Sequence, residues 1–425
     1  MILKTRDIIE QIRHGNVPEG YKKTKAGVLP TDWDVHMLGD CLSRVENPVD
    51  VKPNELYTQI GIRSHGKGLF YKEPVTGVAL GNKSVFWIEP DCFIVNIVFA
   101  WEQAIGKTTQ SEVGMIGSHR FPMYRPVNNR VDVDYLISYF LTKRGTDILE
   151  AASPGGAGRN KTLGQDRFLK SKIILPPIEE QRKIAAILTT QDKVIELKEK
   201  RLAEKQRQKK YLMQQLLTGK RRLPGFSGEW SMQPLSQLSK AITKKTADEE
   251  YEVLSISAGI GFVNQSEKFG KQIAGEQYKN YIVISRGDFS YNKGNSKKYP
   301  QGCIYPLESR ECAAVPNVFI SFTMQKSKCF WKYYKYLFEN GWLNKQLYRL
   351  INSGVRNDGL LNLSDKEFFN CVVPVPPFNE QTAIAEILST ADSEIDLIYK
   401  DIKQEKQKKK ALMQLLLTGI VRVIV

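Results

Sequence analysis

The sequence predicts an α+β chain of two globular regions joined by two long antiparallel helices, the halves related by a pseudo-two-fold axis. Three observations predict it. Residues 176–219 and 376–419 are one segment written twice, 200 positions apart without a gap, and the copies agree at 22 of 44 positions. Both copies have the spacing and punctuation of a helix. The regions before each copy instead alternate short β-branched and aromatic runs with glycine-rich polar turns.

Each repeat opens on Pro-Pro-x-x-Glu-Gln, at Pro176 and Pro376, and closes on Leu-Met-Gln-x-Leu-Leu-Thr-Gly, at Gly219 and Gly419. Proline before a helix loses little by lacking an N–H, and glycine after the last apolar residue supplies a left-handed cap. A helix of about 40 residues extends ~60 Å at ~1.5 Å per residue and needs a partner along its length. Spacing alternately three and four places Ile184, Leu188, Ile195, Leu202, Leu212 and Leu216 on one seam. The second copy places Ile384, Leu388, Ile395, Ile402, Leu412 and Leu416 there, each seam turning polar towards its middle. Pairing within the chain gives the pseudo-two-fold axis; pairing between chains is the other way to cover such seams.

The globular regions carry a fainter repeat. Leu29-Pro30-Thr31-Asp32-Trp33 begins the first, Leu223-Pro224 running to Trp230 begins the second, and Arg159-Asn160 and Arg356-Asn357 recur near their ends. A shared frame with unlike interiors suits two equivalent modules that read different things. Strands are expected over 84–88, 92–99, 251–256, 281–284 and 318–323, and helices over 134–152 and 328–351.

With 41% apolar and 10% aromatic residues, the composition excludes a disordered chain. The longest apolar stretch, residues 92–101, is half a membrane span and holds Asn96, so a cytoplasmic protein without a membrane partner is expected. Six cysteines form no Cys-x-x-Cys pair and four histidines are scattered, which predicts buried free thiols and no metal site. The net charge of +16 points to a polyanionic partner. Residues 178–222 hold 13 Lys/Arg against 6 Asp/Glu, residues 378–422 hold 7 against 7, and the remaining surplus of +9 lies outside both helices.

Two loops concentrate basic and polar side chains suited to DNA. Residues 61–68 offer Arg63, Ser64, His65 and Lys67 on a glycine-rich backbone; residues 291–299 interleave Asn292, Lys293, Asn295, Lys297, Lys298 and Tyr299. Arg and Lys match guanine edges, Asn matches adenine, and Ser or backbone N–H groups match phosphates. The same loops also read as solvated turns. Arg159, Lys161 and Arg356 add further cations, either for phosphate or for closing the domain onto its helix. No catalytic residues are expected. Residues 155–162 imitate a phosphate-binding loop, but Asn160 stands where a glycine must precede the lysine. Gly259-Ile260-Gly261 lacks the third glycine of a dinucleotide site, and no His, Cys or carboxylate constellation is apparent.

Pro176-Pro177-x-x-Glu180-Gln181, Ile184-Ala185-x-Ile187-Leu188 and Leu216-Leu217-Thr218-Gly219 running through Pro224 to Trp230 resemble the central region of specificity subunits of type I restriction-modification enzymes. The second copy resembles that family's C-terminal region. The resemblance implies target recognition domains at 1–175 and 223–375, separated by helical regions at 176–222 and 376–425. It implies a non-catalytic chain that reads an asymmetric, split sequence in double-stranded DNA. Two methyltransferase subunits would dock on it with S-adenosylmethionine, and two restriction subunits with ATP and Mg can join; this chain would bind no cofactor itself. For methyltransferase docking, the shared polar positions Gln181, Asp192, Lys209 and Gln214 are the better candidates. A coiled-coil scaffold that binds only proteins is the alternative.

Overall fold

The computed structural model describes residues 2–24, 27–155, 161–247, 249–265, 275–294, 298–351 and 361–423. The chain divides into two compact units, residues 1–199 with 401–425, and residues 200–400.

In the first unit, strand Asp34–Met37 pairs antiparallel with Lys172–Leu175, closing the globular region immediately before the first long helix. Between them lies a four-stranded antiparallel sheet in the order Ile105–Lys107, Phe93–Val95, Met123–Pro126, Leu42–Val45. Successive side chains of a strand face opposite ways, so Phe93 and Val95 enter one core while Ile94 enters another with Ile60, Ile88 and Met123. The larger core stacks Phe93 on Phe168 at 6.0 Å and takes in Ile184, Leu188 and Leu416 from the long helices.

The second unit repeats this order with different residues. Ser231–Pro234 pairs with Val372–Val375, and the sheet runs Cys303–Pro306, Phe289–Asn292, Ile320–Met324, Ser239–Ala241. Matching strands start 196 to 200 positions apart, from Phe93 and Phe289 to Lys172 and Val372. Tyr291 stacks on Phe368 at 4.8 Å in a core that takes in Ile384, Leu388 and Leu216.

Several boundaries differ from the sequence expectation. The helix expected over 134–152 is two, Val133–Phe140 and Lys143–Ala151. Thr142 caps the second, its Oγ1 accepting from Gly145 N at 3.2 Å, and a Cβ at Gly145 would lie 2.2 Å from the Tyr139 carbonyl oxygen. The helix expected over 328–351 likewise divides into Trp331–Glu339 and Asn344–Leu350 around Gly341, at φ +74°. The strand expected over 92–99 ends at Val95, because Asn96 Oδ1 accepts from Val98 N at 3.1 Å and turns the chain. The other four expected strands are found at Val85–Trp87, Leu254–Ser257, Ile282–Ser285 and Ile320–Met324. Five cysteines are buried, but Cys312 is exposed, against the expectation of buried thiols throughout.

The long helices, Ile178–Leu216 and Phe378–Leu416, have 39 residues each. In the first unit the start of one runs antiparallel to the end of the other: Asp192 meets Lys409 at 2.6 Å and Lys198 meets Asp401 at 2.8 Å. In the second unit Lys205 meets Glu394 at 2.6 Å and Lys209 meets Asp392 at 2.7 Å, again antiparallel. Of the seam residues, Ile184, Leu188, Ile195, Leu216, Ile384, Leu388, Ile402 and Leu416 are buried, and Leu202, Leu212, Ile395 and Leu412 are half-buried. Gly219 and Gly419 end the helices at φ +68° and +72°. A Cβ at Gly419 would meet the Pro30 ring at 2.6 Å.

The Glu-Gln pair that opens each repeat fastens the helix to its globular region. Glu180 is fully buried; it accepts from Trp33 Nε1 at 3.2 Å and from Arg422 Nε and Nη2 at 2.7 and 2.8 Å. Gln181 accepts from Asp132 N at 3.0 Å and donates to the Arg130 and Pro176 carbonyls at 2.8 and 2.9 Å. The second unit builds the same lock. Glu380 accepts from Trp230 at 3.0 Å and twice from Arg222 at 2.7 Å, while Gln381 engages Phe330 N and the Lys328 and Pro376 carbonyls. Hydrogen bonding to Glu180, then to Asp32, holds the Arg422 guanidinium pKa above its ordinary value.

Candidate nucleic-acid interface

Where the central strand of the first unit ends, the Asn96 turn leads into a short helix, Ala100–Glu102, closed by Gln103 at φ +59°. Two further segments converge on it. The hairpin of Ile60–Ile62 and Leu69–Tyr71 lays its tip there: His65 N donates to Glu102 O at 2.8 Å and Gly66 N to Gln103 O at 2.9 Å. From the other side, Leu163 N donates to Ile97 O at 2.8 Å, and Lys161 Nζ lies 5.3 Å from the Trp101 ring centroid. Arg63, Ser64, His65, Lys67 and Lys161 therefore belong to one surface around residues 96–104.

Their freedom differs. Ser64 Oγ donates to Glu102 Oε2 at 3.0 Å, and Arg63 Nη1 donates to Leu69 O at 2.8 Å with its guanidinium over Phe70. His65 and Lys67 are exposed, and neither side chain engages another described residue. Arg159 lies outside the described residues, as do residues 156–160 of the imitation phosphate loop.

The second unit repeats the framework. Asn292 Oδ1 accepts from Gly294 N at 2.9 Å, as Asn96 does from Val98, and Leu361 N donates to Lys293 O at 3.0 Å, as Leu163 does to Ile97. Lys293 Nζ reaches Leu363 O at 3.4 Å, and the exposed Lys298 ammonium lies 5.9 Å from the Tyr299 ring centroid. Asn295, Lys297 and Arg356 lie outside the described residues. In both units the end of the central strand thus carries a donor-bearing turn fastened to the segment that leads into the long helix. Among the described residues, no three His, Cys, Asp or Glu gather to hold a metal.

Residues 85–206 match the family described as Type I restriction modification DNA specificity domain. A putative type I restriction enzyme specificity subunit from Methanocaldococcus jannaschii is 24% identical over 440 residues, covering 95% of this chain and 97% of that protein. Over nearly its whole length the chain is similar to type I restriction-modification specificity subunits, and residues 85–206 match their DNA specificity domain. Its fold agrees with that of the S subunit from M. genitalium, with a TM-score of 0.54 and 12% identity over 92% of this chain and 97% of that one. The HsdS subunit from Thermoanaerobacter tengcongensis gives a TM-score of 0.50 at 16% identity, over 92% and 98% of the two chains.

Two readings of the sequence change against the structure. Gln181, expected as a docking position, is fully buried and committed to backbone groups, so its recurrence at Gln381 reflects the lock. Asp192 and Lys209 are likewise engaged, by Lys409 and by Glu339 with Asp392; Gln214 remains exposed. The counterpart of the 291–299 loop is the 96–104 turn, which sequence reasoning passed over. Its signal was Phe-x-x-Asn at 93–96 and again at 289–292.

Proposed function

We propose that this specificity subunit reads an asymmetric, two-part sequence in double-stranded DNA, each globular region reading one half. The observation that carries the proposal is one strand order built twice from unlike residues, each copy ending its central strand in a donor-bearing turn. Equivalent frames present equivalent surfaces to a duplex, and unlike side chains on them select unlike bases. The recognition domains are residues 1–175 and 223–375, and residues 176–222 and 376–425 are the helical regions between them. The contacting residues are Arg63, Ser64, His65, Lys67, Arg159 and Lys161 in the first. In the second they are Asn292, Lys293, Asn295, Lys297, Lys298, Tyr299 and Arg356.

The chain supplies the address and its partners the chemistry. Two methyltransferase subunits bring S-adenosylmethionine, and two restriction subunits bring ATP and Mg. Leu197 and Leu397, 65% and 64% exposed at matching positions of the repeat, are the apolar anchors for the methyltransferases. The helices act as the ruler that sets the gap between half-sites, near one turn of duplex, about 34–36 Å. Selection of duplexes from a random library by the chain with its methyltransferase tests this. Deleting four residues from one helix between Lys198 and Lys210 should change the gap and leave both half-sites; an unchanged gap in a binding variant contradicts the ruler.

A further inference from the structure

We propose that a cleft beside Asn96 in the first unit grips the phosphodiester backbone of the duplex, an anchor separate from the hairpin tip and Lys161. The cleft has a volume of about 390 Å³, with Phe99 and Phe121 among its walls, and its polar lining includes Gln59, Lys72, Lys83, Asn96, Ser118 and Arg120. Backbone hydrogen bonds stitch its segments together: Lys72 N to Gln59 O at 2.9 Å, His119 N to Ser84 O at 3.1 Å and Ile97 N to Arg120 O at 3.0 Å. The hairpin whose tip rests on Glu102 and Gln103 thus carries Lys72 and Gln59 at its opposite, open end.

The cleft's chemistry is one-sided. Among the described residues no Asp or Glu lines it, and Lys72, Lys83 and Arg120 make no ion pair with any of them. Asn96, 9% exposed, has its Oδ1 committed to Val98 N, so its carboxamide offers a ligand only N–H donors. Ser118 Oγ accepts from Arg120 N at 3.3 Å, which leaves its O–H to donate. Gln59 and His119, also in the lining, can accept as well as donate, but the net charge of the cleft is positive. That matches a phosphodiester, all acceptor and negative, better than a base edge that mixes donors and acceptors. The contrast within the molecule is a cavity of about 630 Å³ in the second unit, where Glu308, Glu339, Asp392 and Asp396 outnumber Lys209 and Lys335. There Glu308 pairs with Lys335 at 2.8 Å, and Glu339 and Asp392 with Lys209 at 2.7 Å, so those cations are already compensated. In the cleft Lys72, Lys83 and Arg120 are exposed and no lining carboxylate compensates them, so their charge is open to a polyanion.

This inference rests on the DNA-recognition reading, and the test separates the two. Duplex affinity of the full chain with its methyltransferase is measured by anisotropy between 50 and 200 mM salt, for the wild type and a K72Q/K83Q/R120Q variant. Each lost phosphate contact lowers the slope of log affinity against log salt by about 0.9. The variant should lose about 2 to 3 from that slope, so a fourfold rise in salt costs it roughly 40-fold less affinity than the wild type. Its preference between target and a duplex with either half scrambled should be unchanged, because phosphates carry no sequence. Single K83Q should lose about 1 from the slope and R120K should retain the wild-type value. A steep wild-type slope with an unchanged triple variant, or a variant that alters sequence preference, overturns the cleft alone. A wild type with no salt-sensitive duplex binding overturns the DNA-recognition reading and this inference with it.

Discussion

Arg422 shows how much one side chain at the edge of a repeat can hold. It donates twice to Glu180, a fully buried carboxylate whose other partners are Trp33 Nε1 and Val423 N, and once to Asp32. Arg422→Ala leaves that carboxylate buried with only neutral donors, Trp33 Nε1 and the Val423 N–H. Removing one member of a buried pair costs about 3–5 kcal/mol, and with Arg422 one-third exposed we expect about 2–4 kcal/mol in denaturant unfolding followed by tryptophan fluorescence. Arg222→Ala should act alike on Glu380 and Trp230. A loss below about 0.5 kcal/mol, the level of an exposed pair, would contradict the lock. This role was legible only in part. The recurrence of Glu-Gln and of the tryptophans stood in the sequence, but the arginines fall three residues beyond each closing glycine, where the copies have otherwise diverged. Only the fold brings Arg422 to a glutamate 242 positions earlier.

For the elements, what repeats was readable and what bends was not. Seam spacing located both long helices because 3.6-residue periodicity over many turns leaves little ambiguity. The helix breaks near Thr142 and Gly341 escaped notice, since one cap or one left-handed glycine interrupts an apolar pattern without changing its period. The polar stretches of the seam carry a pH dependence. Hydrogen bonds from Lys198 and then Gln191 lower the Glu405 pKa in the first unit, and one from Lys205 lowers that of Glu394 in the second. Each folded value lies below its unfolded one, near 4.3, so the unfolded chain binds more protons there. The contribution is full above the unfolded value and is lost as pH falls through the folded one. The helical melting temperature should therefore drop below about pH 4, and less steeply in Glu405→Gln. An identical acid drop in that variant would remove Glu405 from the account.

For the whole molecule, the same strand order in both units, offset by 196 to 200 positions, accounts for a second repeat that the sequence hardly displays. Strand order is kept by hydrophobic patterning, which tolerates any apolar residue of suitable size, so Phe93 and Val95 serve the same place as Phe289 and Tyr291. On the opposite face Ile94 is matched by Ser290, which is hydrogen-bonded to Ser321 at 2.8 Å. The basic loops were legible as composition. The turn at 96–104 was not, because its importance comes from the hairpin and the 161–163 segment that fold onto it. The cleft beside it likewise draws Lys72, Lys83 and Arg120 from three separate stretches.

The measurement that tests the central claim most directly is the map of methylated bases in cells that express this chain with a type I methyltransferase subunit that it binds. The account predicts one asymmetric split motif, absent when this chain is withheld. Unchanged methylation despite a stable complex between chain and methyltransferase would contradict it.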